Sequence, residues 1–208
     1  MSGSVLLIDN LDSFTFNLVD AIQRLGTKVR VLRNTVSAKA ALAAAEESGA
    51  SILISPGPGR PEESGCILEL VALAKGRVPL AGVCLGQQAI LMEAGAPLER
   101  APEPVHGKAS LLDHDCAGPF AGLTEPVRVG RYHSLCTNEV PERFRVHARI
   151  GGMAMAISDP AALQSGVQFH PESILTPAGS RILANLIAPP AAEVAEPARF
   201  STRARCRT

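Results

Sequence analysis

The chain has 208 residues, enough for one domain with a full hydrophobic core, and its twenty basic and twenty acidic side chains cancel. That balance leaves no basic footprint for nucleic acid or an anionic membrane, and no apolar run reaches the length of a bilayer span. Cysteines at 66, 84, 116, 136 and 206 are irregularly spaced without a Cys-x-x-Cys pair, which argues against a disulfide framework or zinc site and for a reducing cytoplasm.

The start, Met1-Ser2-Gly3-Ser4, lacks the basic n-region of a secretory leader and runs directly into an apolar strand, residues 5–8, closed by Asp9-Asn10. Asp12 or Ser13 can cap a helix whose apolar face is Phe14, Leu18, Ala21, Ile22 and Leu25, stopped by Gly26. A second strand follows at 29–32, and an Ala-rich helix runs from 37 to 47 before Gly49. The buried strand at 51–55 leads into Pro56-Gly57-Pro58-Gly59. Ile67, Leu68, Leu70, Val71 and Ala74 mark a third helix, and the apolar run 78–83 ends at Cys84. This alternation predicts an α/β fold with a doubly wound, mostly parallel sheet and helices on both faces.

Beyond residue 97 the pattern turns to short strands at 108–112, 127–132, 145–150, 153–157 and 167–169. They are expected to extend the sheet in mixed orientation before a last helix, 177–187, packs back. The domain is expected to cover 1–188. The Pro/Ala/Glu-rich and then basic stretch 189–208 reads as a disordered tail.

Ligands bind doubly wound sheets at the carboxyl ends of the parallel strands, and Gly82-Val83-Cys84-Leu85-Gly86 stands at one of them. A residue flanked by glycines between strand and helix sits on a sharp turn. Its thiol then lies at a helix N-terminus, where positive partial charge favours thiolate. A second apolar run ends in His170-Pro171-Glu172, a base with a carboxylate in reach of its other ring nitrogen. Together these residues support a Cys–His–Glu relay that forms a thioester with an acyl substrate and then activates water. The N–H of Leu85 and one from the 56–59 loop can hold the oxyanion. His133, in a polar patch at 131–135, could line the pocket and is the next candidate base.

With Gly-Val-Cys-Leu-Gly, Phe-His-Pro-Glu and Pro-Gly-Pro-Gly in this order, the chain resembles the class I, triad-type glutamine amidotransferases from about residue 5 to 186. Within them it is most similar to the amidotransferase components of anthranilate synthases. That likeness rests on residues 7–14, 55–59 with Pro61, His106-Gly107-Lys108, 131–135 and 168–175. The resemblance implies that Cys84 attacks the glutamine amide, with His170 as base and Glu172 as its orienter. It places oxyanion donors on the backbones of Gly57 and Leu85, and glutamine contacts on Gly57, Pro58, Gly59, Gln88, Ser134 and Leu135. It implies no metal or organic cofactor in this subunit and, as partner, a chorismate-binding synthase large subunit that receives the ammonia. The amidotransferase of aminodeoxychorismate synthase shares nearly all these motifs, and some subunits serve both synthases. A free-standing hydrolase and a non-catalytic docking module are the remaining readings. One departure is Gln87, where relatives commonly carry His; no role falls on it.

Overall fold

A computed structural model of the protein describes residues 3–188; the expected tail, 189–208, lies outside the described residues. In chain order the elements are β1 (Ser4–Asp9), α1 (Thr15–Arg24), β2 (Lys28–Arg33), α2 (Ala38–Ser48), β3 (Ser51–Ile54), α3 (Ile67–Ala74), β4 (Leu80–Val83) and α4 (Leu85–Glu93). The second half adds β5 (Glu99–Arg100), β6 (Lys108–Leu112), β7 (Val127–Arg131), β8 (Leu135–Cys136), β9 (Arg145–Ile150), β10 (Met153–Asp159), β11 (Gln164–Val167) and α5 (Gly179–Ile187).

Unbroken apolar runs can only be buried in strands covered on both faces. β1, β3 and β4 are such strands, at the centre of a seven-stranded sheet of order β2-β1-β3-β4-β11-β10-β9. The first five positions in that order pair in parallel, and β10 and β9 close the edge antiparallel. Alternating side chains divide the core. Leu6, Ile8, Ile52, Ile54 and Leu80 pack with Leu42, Leu70 and Ile90 of α2–α4. Val5, Leu7, Leu53, Ala81 and Val83 pack with Leu18, Ile22, Ile182 and Leu183 of α1 and α5. The edge strand β2 carries Lys28, Arg30 and Arg33, charges that discourage pairing with another sheet.

Helix ends follow local chemistry. Ser37 caps α2 by accepting the Ala40 N–H at 3.2 Å, and Gly49 closes it in the left-handed conformation. α1 starts later than its sequence suggests. Asp12 accepts the Phe14 N–H at 2.7 Å in a turn that precedes the helix, which leaves Phe14 outside the helical face.

The second half differs from expectation in two places. β6 and β7 form a separate two-stranded ribbon rather than extending the sheet, as do β5 and β8. The strand expected at 167–169 instead spans Gln164–Val167. Its polar start hid it: Gln164 is fully buried because Arg143 donates to its Oε1 at 3.1 Å and its Nε2 donates to the Val71 carbonyl at 3.4 Å. Cys66, Cys84 and Cys136 are unpaired and buried. Among the described residues no helix is long and apolar enough to cross a membrane.

β1 has β2 on one side and β3 on the other, so the winding direction reverses there. The loops at the carboxyl ends of β1, β3 and β4 therefore open onto one crevice.

Candidate active site

Cys84 stands between β4 and α4 with φ 52° and ψ −101°, a conformation side chains rarely adopt. Such a backbone costs about 1–3 kcal/mol and persists only where its surroundings enforce it. Here the Cys84 N–H donates to the Val167 carbonyl at 2.8 Å, and the chain crosses itself closely on both sides. A Cβ on Gly82 would lie 2.2 Å from the Gly86 carbonyl carbon, and one on Gly86 would lie 2.5 Å from the Ile54 carbonyl oxygen. Only glycine fits at either position. The thiol is thereby held at the first turn of α4, where backbone N–H groups have no acceptor one turn back.

His170 comes from the continuation of β11 and is fixed by distant parts of the chain. The Gln168 N–H donates to the Met155 carbonyl and the His170 N–H to the Gly130 carbonyl, both at 3.0 Å. The Thr176 hydroxyl donates to the His170 carbonyl at 2.7 Å and accepts the Gly130 N–H at 3.0 Å. The ring's Nδ1–H donates to Glu172 Oε1 at 2.7 Å, and both side chains are buried. Cys84 is near enough to the ring to act on its protonation, together with Glu172. Tyr132 and Phe14 wall it edge-on, at centroid distances of 4.9 and 5.9 Å. The structure thus brings Cys84, His170 and Glu172 together.

Burial alone would push the His170 imidazole down, but the hydrogen bonds to Cys84 and Glu172, and the charges of both, carry it from 6.5 up to about 10. Such a site keeps its proton on the imidazole. It can therefore attack an acyl carbon with sulfur and protonate the departing group from the ring. His133 is the opposite case. Burial pushes it down to about 4; the Leu135 carbonyl opposes this, and Arg131 and His170 reinforce it. Its Nδ1–H donates to the Leu135 carbonyl at 3.0 Å, and its burial favours the neutral ring.

The remaining expected residues divide. Gly57 abuts Leu85: a Cβ there would lie 2.7 Å from Leu85 Cδ2 and 2.6 Å from Asn10 Cβ. The two residues expected to supply oxyanion donors are therefore neighbours. Asn10 and Ser55 set that approach, since Asn10 Nδ2 donates to the Ser55 carbonyl at 2.9 Å and the Asn10 N–H to Ser55 Oγ at 3.0 Å. Pro58 and Gly59 lie on an exposed bend beside it. Gln88 does reach back over the elbow, but its Nε2 is committed to the Leu135 carbonyl at 3.2 Å and to Gln168 Oε1 at 3.1 Å. Ser134 is exposed, and its carbonyl accepts the Ala101 N–H at 2.9 Å. Gln87 is buried against Gly166 and donates to the Ala154 carbonyl at 2.9 Å, a packing role.

Sequence reasoning assigned no role to Gln168, Tyr132 or Phe14. Gln168 carries a signal, an amide inside the apolar run before His170. Phe14 was masked by its helical spacing with Leu18. Tyr132 is the sole tyrosine of the chain, but nothing local ties it to a histidine far along the sequence.

A family model described as glutamine amidotransferase class-I matches residues 6–188. An anthranilate synthase component 2 of Pseudomonas aeruginosa, described as pyocyanine specific, is 48% identical over 88% of this chain and 92% of its own. The anthranilate synthase component 2 of Buchnera aphidicola subsp. Schizaphis graminum is 42% identical over 89% of this chain and 95% of its own. That of Vibrio parahaemolyticus is 40% identical over the same shares. A solved structure from Thermoplasma acidophilum, described as one of the subunits of a GMP synthase, superposes with a TM-score of 0.78 over 90% of this chain and 93% of its own. At 21% identity it bears on the fold alone.

Proposed function

Because the chain belongs to the class I glutamine amidotransferase family, we propose that it is the glutaminase subunit of an anthranilate synthase, delivering ammonia to a chorismate-using partner. The observation that carries the reading is the strained Cys84 elbow facing the buried His170–Glu172 pair. Cys84 Sγ attacks the side-chain carbonyl carbon of glutamine, and the carbonyl electron pair moves onto oxygen. Backbone N–H groups of Leu85 and Gly57 stabilise that oxyanion. On collapse the C–N bond breaks, and the nitrogen takes a proton from His170 and leaves as ammonia. His170 then removes a proton from water, which attacks the thioester; the C–S bond breaks, and glutamate departs. Glu172 keeps the ring in one orientation and offsets its charge. These steps use no metal or organic cofactor in this subunit.

Ammonia formed without an acceptor is lost to solvent, so hydrolysis is coupled to the partner. The exposed Pro58-Gly59 bend adjoins Gly57, and docking beside it can set the Gly57 peptide that completes the oxyanion site. The isolated chain is expected to turn over glutamine weakly. A chorismate-bound anthranilate synthase large subunit should stimulate it, and an aminodeoxychorismate synthase large subunit should not.

The test is anthranilate formation by the assembled complex. Cys84→Ser is expected to abolish the glutamine-dependent reaction while sparing the ammonia-dependent one. Persistence of glutamine-dependent synthesis in that variant would refute the assignment.

A further inference from the structure

One buried group that the relay does not use also meets the sulfur. Gln168 is fully buried between Val167 and Phe169. A primary amide in such a setting is costly unless both its ends are bonded. Its Oε1 accepts from Gln88 Nε2 at 3.1 Å, and its own Nε2 donates to Cys84 Sγ at 3.4 Å. Gln88 decides which end of the amide faces the sulfur, because its nitrogen can only donate. That nitrogen is pinned in turn by the Leu135 carbonyl at 3.2 Å, which also holds His133 Nδ1 at 3.0 Å. The series Leu135–Gln88–Gln168 therefore ends in one N–H directed at the nucleophilic atom.

A packing role does not require this orientation. A methionine or leucine would fill the same volume, and an amide of the opposite sense would set an oxygen against the sulfur. We propose that Gln168 is a further residue of the reaction, a fixed N–H donor that holds the Cys84 sulfur in line and stabilises the negative charge on it. The inference rests on Cys84 being the nucleophile. A thiolate has three lone pairs: the imidazole N–H takes one, the Gln168 N–H a second, and the third is left for the substrate carbon. The donor acts at two moments. It stabilises the sulfur anion before attack, and again when water displaces the sulfur from the thioester and the charge returns to it.

The test is the rate at which iodoacetamide alkylates Cys84 in the purified full chain at neutral pH, read by peptide mapping. Gln168→Met removes the donor and keeps the volume, and should slow alkylation about tenfold, in line with loss of a hydrogen bond to a charged group. Gln168→Glu sets oxygens against the sulfur and should be slower still. Gln88→Leu, which leaves the Gln168 amide free to turn over, should slow it roughly threefold and serves if the position-168 variants fail to fold. In the assembled complex Gln168→Met should lower kcat for glutamine by a similar factor and leave KM nearly unchanged. Folded Gln168→Met and Gln168→Glu variants that alkylate at the wild-type rate, or a wild-type rate in Gln88→Leu, would overturn the inference. His170→Ala separates the two readings. If it slows alkylation while the Gln168 variants do not, only the donor role fails; if it too has no effect, the Cys84–His170 pair itself fails.

Discussion

The two halves of the proposed active centre are built in opposite ways. The nucleophile half is local: β4, two glycines and the first turn of α4 bend Cys84 into a strained backbone within five consecutive residues, 82–86. The base half draws on distant segments, since His170 is held by Gly130 as well as by nearby Thr176 and Glu172, and is walled by Phe14 and Tyr132. Strain is concentrated in the first half and alignment in the second. Damage to the first should therefore show as lost folding or lost nucleophile, and damage to the second as a folded protein with a misaligned base.

The largest effects come from the chemical groups themselves. Cys84→Ala and His170→Ala should each cut glutamine turnover in the complex by about 10⁴-fold or more, by analogy with nucleophile and base deletions in other relays. Glu172→Ala should be milder by roughly one to two orders of magnitude, because the carboxylate orients the ring without bonding to substrate. Steady-state kinetics of all three, with ammonia-dependent synthesis as the control, check the ranking. Equal losses in all three would mean that Glu172 does more than orient.

Glycine substitutions test the contrast between the halves directly. Gly82→Ala places a Cβ against the Gly86 backbone and should destabilise the fold by several kcal/mol, seen as a lower Tm or loss of soluble protein. In the other half, a Cβ on Gly179 would lie 1.9 Å from the Pro171 carbonyl oxygen, beside the His170–Glu172 segment. Gly179→Ala is expected to displace that segment and cost on the order of 100-fold in kcat, the scale of a 1 Å misplacement, with a smaller loss of Tm than Gly82→Ala. The reverse ordering of the two Tm losses would break the comparison.

Smaller effects follow from strain and charge. Cys84→Gly relieves the backbone that Cys84→Ala retains, so it should be more stable than Cys84→Ala by about 1 kcal/mol, or roughly 2–4 °C in Tm. Protonation of His170 stabilises the fold because its pKa is raised from 6.5 to about 10. That contribution is complete below 6.5 and is lost as pH rises through about 10. His170→Ala should flatten this alkaline decline, and Cys84→Ala should do so in part, since sulfur supplies some of the raising. His133, depressed to about 4, gives the opposite sign, with stability lost as pH falls from 6.5 towards 4. Urea unfolding across pH measures both; an unchanged alkaline slope in His170→Ala would contradict the ion-pair account.

The difference between the halves also explains what was legible in the sequence. Strands of four to six apolar residues, the Ser37 cap and the Gly-x-Cys-x-Gly turn are written in adjacent residues, so the first half and Cys84 could be read directly. Glu172 lies two residues from His170, and its contact with the ring too was readable. Gln168, Tyr132 and Phe14 act through contacts between distant segments, which no local pattern encodes. β11 escaped because Arg143 and the Val71 carbonyl make a buried Gln164 tolerable, and β6 and β7 read as strands without revealing which partners they chose.

The most direct measurement is peptide mapping after treating the chain, assembled with its synthase subunit, with a glutamine-analogue electrophile. The expected result is one adduct, on Cys84, suppressed by excess glutamine and by His170→Ala. An adduct on Cys66 or Cys136, or labelling of Cys84 indifferent to both glutamine and His170, would contradict the account.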